Sequence, residues 1–235
     1  MIQYDTLRRT PSFLSIDLDY WLCTEFSIYS VSKRIAEATT FLEELARKAR
    51  TDGFQVPVYR DHKKMLEVAT QAHNAPPPGK LPAHILVNVD YHSDLPERHA
   101  LAMEGVTTPT DGSWAAFVPW RFAGRFLWIR SCRKMTDGRC DTSWTRRFTD
   151  KKFAQHTGWK ATHTTKKKIT PKFLKSMNIV GAAICISPAY LISQVRSDYI
   201  GEGNTASLYL SDQGLIDAID KCQSTPGKED ACSED

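Results

Sequence analysis

The chain has 235 residues, of which 41% are hydrophobic and 25% are charged, and its formal net charge is +4. These values fit an ordinary globular protein with a full core, and they exclude a fibrous or largely disordered chain. The charge is too small to require a nucleic-acid partner. The sequence contains no run of about 18 apolar residues, so it predicts no membrane helix.

The first residues and the cysteines indicate a cellular compartment. The N-terminal segment MIQYDTLRRTPSF lacks the apolar core of a signal peptide. Six cysteines are scattered without a CxxC pair. Cys23 and Cys185 lie in apolar runs and are predicted to be buried thiols, whereas Cys132 and Cys140 form no recognisable pair. We therefore expect a cytoplasmic protein without a disulfide framework.

The first half of the chain alternates between apolar strands and amphipathic helices. FLSIDLDYW (13–21) is predicted to be a buried strand, and VSKRIAEATTFLEELARKAR (31–50) has the apolar spacing of a helix. VPVYRDH (56–62) is a short strand or turn that leads into the helix KKMLEVATQAH (63–73). A Pro-rich loop, NAPPPGKLPA (74–83), follows this helix.

The second half continues the alternation from the strand HILVNVDYHSDL (84–95). The polar, basic stretch from Met135 to about Thr165 is predicted to be rich in loops. The remaining predicted elements are the strand 124–132, the helix 169–178 with Pro171 in its first turn, the strand 179–188, the helix 187–200 and the helix 212–223. This order predicts one α/β domain over 1–235, a three-layer α/β/α arrangement around a mainly parallel sheet, with a flexible tail at about 224–235.

Three short stretches place metal-type ligands at the ends of predicted strands. They are SIDLDYW, YRDHKKM and VDYHSD. In an extended chain, residues i, i+2 and i+4 point to one side, so the two acids and the histidine of VDYHSD share a direction. Sites in open parallel sheets lie beyond the carboxyl ends of the strands, where the three stretches can meet. The predicted ligands are Asp17, Asp19, His62, Asp90, His92 and Asp94.

Each stretch also has a purely structural explanation. A DxD pair at a strand end is common in turns and helix caps, and an isolated histidine such as His62 is often structural. The DxHxD stretch is different, because its ionisable groups at the mouth of an apolar strand would repel one another without a cation. The three stretches together therefore favour a metal site.

The charge of these ligands predicts how many cations they hold. Four carboxylates and two neutral imidazoles carry a charge that two divalent cations balance, whereas one cation leaves uncompensated charge in a cleft of low dielectric constant. Oxygen-rich ligation with two imidazoles suits Mn²⁺, with Fe²⁺, Co²⁺ or Zn²⁺ as substitutes. Two adjacent cations can activate a water molecule as a nucleophile. The residues alone thus predict a binuclear metallohydrolase.

These motifs resemble those of a known family. DYHSD resembles the DxHxD signature of the arginase/agmatinase ureohydrolases, SIDLDYW resembles their S-x-D-x-D strand, and His62 resembles their separate histidine ligand. GSWAAFVPW (112–120) and GAAICISPAYL (181–191) resemble segments of the peptide arginases. The resemblance implies a manganese enzyme that converts arginine side chains of a ribosomally made precursor peptide to ornithine and releases urea. The S-x-D-x-D motif comes first here, so the arginase-like fold would be circularly permuted.

The resemblance also implies a role for each ligand. Asp17 and Asp90 would bridge the two cations, His62 and Asp94 would complete one of them, and His92 and Asp19 the other. Asp94 would pass a proton from the attacking water to the leaving amine.

A carboxylate should grip the guanidinium group, which carries five donors. Glu25 and Glu104 are the candidates, and His99 is a candidate proton shuttle. All three have the alternative of being exposed surface residues.

The basic stretch 146–175 has one predicted role and two alternatives. Lys166, Lys167 and Lys168 are expected to hold the precursor peptide at the rim of the cleft by charge. Nucleic-acid binding is the less favoured use of this stretch. In a non-catalytic binding module it would instead dock an acidic partner.

Two other enzyme classes stay open from the sequence. One is a deacetylase-like amide hydrolase that holds a single Zn²⁺ with two aspartates and one histidine. The other is a ureohydrolase that acts on free guanidino compounds.

Overall fold

A computed structural model describes residues 4–22, 31–76, 79, 81–92, 94, 114–117, 125–131, 160–164, 169–187 and 213–224. The described helices are α1 (Tyr4–Arg9), α2 (Asp19–Leu22), α3 (Val31–Asp52), α4 (Lys64–Asn74), α5 (Pro171–Ser176) and α6 (Gln213–Gln223), with a 3-10 turn at Trp114–Phe117. The described strands are β1 (Ser12–Asp17), β2 (Val58–Tyr59), β3 (Ile85–Asp90), β4 (Arg125–Arg130), β5 (Lys160–Thr164) and β6 (Ile179–Cys185).

The strands form one sheet with the order β2-β6-β1-β3-β4-β5. Every neighbouring pair is parallel, as the alternation of strands and helices predicts. The protein therefore has an α/β fold. The order places β1 and β3 side by side in the middle of the sheet, although α2, α3, β2 and α4 separate them along the chain.

Helices cover both faces of this sheet. On one face, Leu14 and Ile16 of β1 belong to the core cluster that α3, α5 and α6 complete. On the other, Phe13 of β1 and Leu86 of β3 pack in a cluster with α4 and the 3-10 turn. All residues of β1 and β3 are buried, and these include the polar residues Ser15, Asp17, Asn88 and Asp90 as well as the apolar ones.

Several predicted elements are confirmed, with small shifts at their ends. The helices predicted at 31–50, 63–73, 169–178 and 212–223 correspond to α3, α4, α5 and α6. Pro171 opens α5, and the side chain of Thr170 caps it by accepting a hydrogen bond from the N–H of Phe173. Cys185 is buried, as predicted. Cys23, Cys132 and Cys140 lie outside the described residues.

The ends of two strands differ from the prediction, and the difference concerns the motifs. β1 stops at Asp17, and the chain turns at once into α2, whose first residue is Asp19. β3 stops at Asp90, and Asp94 has a φ of 51°. The expectation that Asp90, His92 and Asp94 alternate along one strand is therefore wrong. A turn, rather than strand alternation, sets the directions of His92 and Asp94.

The polar stretch predicted to be loop-rich contains one described strand, β5. Among the described strands it pairs with β4 alone and ends the sheet order. A strand at the edge of a sheet tolerates polar residues such as those of KATHT. The predicted helix 187–200 and the tail after Ser224 lie outside the described residues. Among the described helices, none combines the length and apolarity needed to cross a membrane.

Candidate metal centre

The three ligand stretches meet at the carboxyl edge of the sheet. Asp17 ends β1 and Asp90 ends β3, and these strands are direct neighbours in register. His62 follows β2, which lies beyond β6 on the other side of β1. Because side chains alternate along a strand, Asp17 and Asp90 lie on the sheet face that α4 covers. Sheet order brings together residues that are distant in the chain.

His62 faces three carboxylates. Its Nδ1 lies 3.1 Å from Asp17 Oδ2, 3.2 Å from Asp94 Oδ2 and 3.7 Å from Asp90 Oδ2. The ring is buried, and its Nε2 has no hydrogen-bond partner among the described residues. One nitrogen surrounded by three carboxylate oxygens is the arrangement expected of ligands that share a cation.

A second group forms around Asp19. Its Oδ2 lies 2.7 Å from Nδ1 of His92, and its Oδ1 accepts a hydrogen bond of 3.1 Å from the N–H of Tyr91. The N–H of His92 donates to Asp90 Oδ1 at 2.7 Å, which links this group to β3. The side chain of His92 is 41% exposed, whereas that of His62 is 5% exposed. The centre is therefore closed around His62 and reaches solvent at His92.

Asp17 also has a local structural role. Its Oδ1 accepts a hydrogen bond of 2.9 Å from the N–H of Asp19 at the start of α2. Its Oδ2 accepts one from the hydroxyl of Ser187 and faces His62. Asp17 thus stabilises the turn, as expected for a DxD pair, and it also occupies the position expected of a metal ligand.

A set of neutral donors, which sequence reasoning missed, holds the carboxylates. Asn88 Nδ2 donates to Asp90 Oδ2 at 3.3 Å and to Asp94 Oδ2 at 3.1 Å. Trp114 Nε1 donates to Asp94 Oδ2 at 2.8 Å, and Trp128 Nε1 donates to the backbone oxygen of Asp90 at 3.0 Å. The one feature of the sequence that could have indicated these donors is Asn88, a polar residue within the apolar run of β3. Such partners orient metal ligands and tune their basicity.

Burial and mutual repulsion perturb the acids and the imidazole. Burial, together with the charge of Asp19, raises the pKa of Asp17 to about 6, although His62 opposes this. Burial, followed by repulsion from Asp19, Asp94 and Asp17, raises the pKa of Asp90 well above its usual range. Burial lowers the pKa of His62, but the carboxylates outweigh it and bring the value to about 9. A bound cation would offset both the burial and the repulsion of these carboxylates.

The donor atoms fit divalent cations. Three sets of residues have ligand atoms within 4.8 Å of one another: Asp19, Asp90 and His92; His62, Asp90 and Asp94; and Asp17, His62 and Cys185. Ligands held at about 2.1 Å and at right angles are about 3 Å apart, which matches the separations around His62. Asp90 belongs to two of the sets. The buried Asp and His groups can therefore hold a metal ion.

Two strained residues adjoin this cluster. Asp94 and Ser187 have φ values of 51° and 44°, and they are the non-glycine residues with positive φ in the described part of the chain. Such conformations cost on the order of 1–3 kcal/mol each and persist where the surroundings enforce them. Asp94 is held by Asn88 and Trp114, and Ser187 by its hydrogen bond to Asp17.

The remaining predicted site residues lie outside the described residues. They are Glu25, His99, Glu104, Lys166, Lys167 and Lys168. Their roles stay predictions.

No family model, curated protein or solved structure matches this chain. The likeness to the ureohydrolases consequently rests on the motifs alone, and the site must be interpreted from its own geometry.

Proposed function

We propose that this chain is a binuclear metallohydrolase of the arginase type, with a circularly permuted arginase-like fold. Its reaction would convert arginine side chains of a ribosomally made precursor peptide to ornithine and urea. The observation that carries the proposal is the sharing of Asp90 between two sets of potential ligands, one completed by the buried His62 and Asp94 and the other by the buried Asp19 and the partly exposed His92.

The number of carboxylates supports two cations rather than one. Asp17, Asp19, Asp90 and Asp94 are all at most 4% exposed. A single divalent cation would leave two negative charges among buried side chains, at a cost of several kcal/mol per uncompensated ion. A mononuclear zinc site of the deacetylase type would use two of these acids and one histidine. It therefore explains only half of the cluster.

The ligand types favour Mn²⁺, with Fe²⁺, Co²⁺ and Zn²⁺ as substitutes. When bound, such cations supply a water-derived nucleophile at neutral pH and stabilise developing negative charge. Asp94 is the residue that would hold and move a proton. Asn88 and Trp114 both donate to its Oδ2, so this carboxylate is fixed in orientation. A fixed orientation is what proton transfer to a leaving amine requires.

The substrate is proposed from the resemblance. A guanidinium group is permanently cationic and carries five donors, so it would need a carboxylate whose charge the two cations do not compensate. The partly exposed His92 marks the side from which a long side chain would reach the centre. Glu25 and Glu104 are the candidates to grip the guanidinium group, and His99 is the candidate proton shuttle.

A peptide rather than free arginine is proposed because of the basic stretch 146–175. Lys166, Lys167 and Lys168 would repel a guanidinium group if they lined the pocket, so we assign them to its rim. There they would attract an acidic segment of the precursor. The alternative within the same chemistry is a ureohydrolase for free guanidino compounds, which has no need of this stretch.

One experiment separates these possibilities. Manganese-reconstituted protein is incubated with an arginine-containing precursor peptide and, separately, with free arginine and an acetyl-lysine peptide. Mass spectrometry is expected to show ornithine in the first peptide, with an equal amount of urea. The Asp90→Asn protein serves as the inactive control. Turnover of free arginine alone would replace the peptide assignment, and deacetylation alone would replace the reaction.

A further inference from the structure

A thiol lies next to the proposed ligands and has no role in the function described above. Cys185 ends β6 and pairs in register with Asp17 of β1. It is fully buried on the sheet face that α4 covers. Its Sγ, a carboxylate oxygen of Asp17 and a ring nitrogen of His62 all lie within 4.8 Å of one another. Three different types of potential metal donor thus converge in a buried part of the centre.

We propose that Cys185 is a metal ligand, and that with Asp17 and His62 it forms a position for a thiophilic divalent cation such as Zn²⁺, Co²⁺ or Cd²⁺. The inference rests on cation binding by the cluster, which is part of the proposed function. It deepens that function by making the two halves of the centre chemically different.

The hydrogen bonds of Cys185 and His62 are weak or incomplete, so both residues can act as metal ligands. Cys185 Sγ lies 3.2 Å from the hydroxyl of Ser187 and 3.7 Å from the backbone oxygen of Arg60, and sulfur forms only weak hydrogen bonds. His62 is buried, and its Nε2 has no partner among the described residues. An unpaired buried ring nitrogen is costly in a purely structural cluster.

His62 Nδ1 and Asp17 Oδ2 are 3.1 Å apart, and the upper limit of 4.8 Å on the separations from Sγ is compatible with a shared cation. Zinc binds sulfur at about 2.3 Å and oxygen or nitrogen at about 2.0–2.2 Å, so its donors lie between about 3 and 4.4 Å apart. Coordination breaks the S–H bond and forms a sulfur–metal bond, and the proton is released to solvent. Oxidation states do not change.

The other half of the centre has a different character. Asp19, Asp90 and His92 supply oxygen and nitrogen only, and His92 is partly exposed. Hard and intermediate cations such as Mn²⁺ suit such ligands, whereas a thiolate selects softer ones. The structure therefore assigns two positions of unequal preference, one buried and sulfur-containing, the other open and rich in oxygen.

Cobalt provides the direct test, because a thiolate bound to Co²⁺ gives a charge-transfer band in the near ultraviolet. The full chain is titrated with Co²⁺ while binding is followed by equilibrium dialysis. We expect the wild-type protein to show the band and Cys185→Ser to lose it. Cys185→Ser should also lower the affinity for Zn²⁺ by roughly ten- to a hundredfold. Mn²⁺ binding should change much less.

Cys222→Ser is the matched control, since Cys222 is the other described buried thiol and donates to the backbone oxygen of Leu42. This variant should keep the band. A band of unchanged intensity in Cys185→Ser would overturn the inference, because another thiol would then be the ligand.

A single-thiol chain keeps the test decisive if Cys185→Ser does not fold. The C23S/C132S/C140S/C222S/C232S variant retains Cys185 alone. Zinc X-ray absorption of this protein should show a sulfur scatterer at about 2.3 Å. Bound zinc with only oxygen and nitrogen neighbours would overturn the role of Cys185 and leave the proposed metal centre intact. Failure of every cation to bind the wild-type chain would overturn both.

Discussion

Nδ1 of His92 lies 2.7 Å from Oδ2 of Asp19, although 73 positions separate the two residues in the chain. The contact joins the turn after β3 to the start of α2, and the N–H of Tyr91 donates to the other oxygen of the same carboxylate. It makes the DxD and DxHxD stretches parts of one site. The predictions below follow from this convergence.

The first prediction concerns the number of cations and their effect on stability. Protein saturated with Mn²⁺ should contain about two ions per chain, because one leaves two carboxylates uncompensated. Removing them with a chelator should lower the melting temperature, since the ions bind the folded state. Elemental analysis and a thermal scan measure the two quantities. Saturation at one ion would favour the deacetylase-like alternative.

The second prediction distinguishes the individual ligands. Asp90→Ala and Asp17→Ala should abolish activity and weaken both cations, because Asp90 is shared by two of the sets and the resemblance implies that Asp17 also bridges. Asp19→Ala should mainly release one ion, because it belongs to the set with His92. Calorimetric titration with Mn²⁺ resolves the two binding steps. Asp220→Ala removes an exposed acid from α6 and should change neither step. Full activity of Asp17→Ala would refute its assignment as a ligand.

The third prediction concerns Asn88, which fixes two of the proposed ligands. Asn88→Ala removes the donor that Asp90 and Asp94 share. Loss of such an orienting partner typically costs roughly ten- to a hundredfold in metal affinity. Calorimetric titration with Mn²⁺ measures the loss.

Ser15→Ala is the matched control for Asn88→Ala. Ser15 is the register neighbour of Asn88 on β1, is equally buried, and its hydroxyl has no hydrogen-bond partner among the described residues. Removing an unsatisfied hydroxyl should leave metal affinity unchanged and stability unchanged or slightly higher. Equal losses of affinity in the two variants would show that the effect of Asn88→Ala is one of packing.

The fourth prediction is a dependence of metal stabilisation on pH. The folded pKa of Asp17 is raised from 3.8 to about 6, so its protonation stabilises the metal-free fold below 3.8 and ceases to do so as the pH rises through 6. The folded pKa of His62 is raised from 6.5 to about 9, so its contribution is complete below 6.5 and lost as the pH rises through 9. Metal-free protein should therefore lose stability across this range.

Cations compete with the same protons. The increase in melting temperature caused by Mn²⁺ should consequently grow from about pH 5 to about pH 8. Paired scans with Mn²⁺ and with EDTA across this range measure it. An increment that does not vary with pH would contradict binding at Asp17 and His62.

The fifth prediction concerns the lysines that we assign to the rim of the proposed active-site cleft. Replacing Lys166, Lys167 and Lys168 with glutamate should raise KM for the precursor peptide and leave kcat unchanged. The ground state and the transition state would lose the same binding free energy at the rim, and the reaction at the centre would not be affected. Added salt should have a similar effect on the wild-type protein, since it screens exposed charges. The control variant carries Lys33→Glu, Arg50→Glu and Lys221→Glu, which are exposed residues of α3 and α6 outside the stretch 146–175. An equal rise in KM in this control would indicate a general charge effect.

Local patterns predicted much of the fold. Apolar runs and helical spacing predicted α3, α4 and β6, because the order of residue types directly reflects burial on one face or both. The ends of β1 and β3 were misplaced for a related reason. The residues of SIDLDYW and VNVDYHSDL have a strand-like apolar pattern up to and beyond the acids, and hydrogen bonds to their side chains turn the chain instead.

By itself, the sequence determined that this is an α/β protein with a parallel sheet and that six residues of types that can bind metals follow its strands. Only the tertiary structure decided which ligands face each other, that Asn88 and Trp114 hold Asp94, and that Cys185 lies beside Asp17 and His62. The physical reason is that residue type and spacing act within a few positions, whereas these contacts depend on the order of β6, β1 and β3 in the sheet. That order is set by the packing of the whole core.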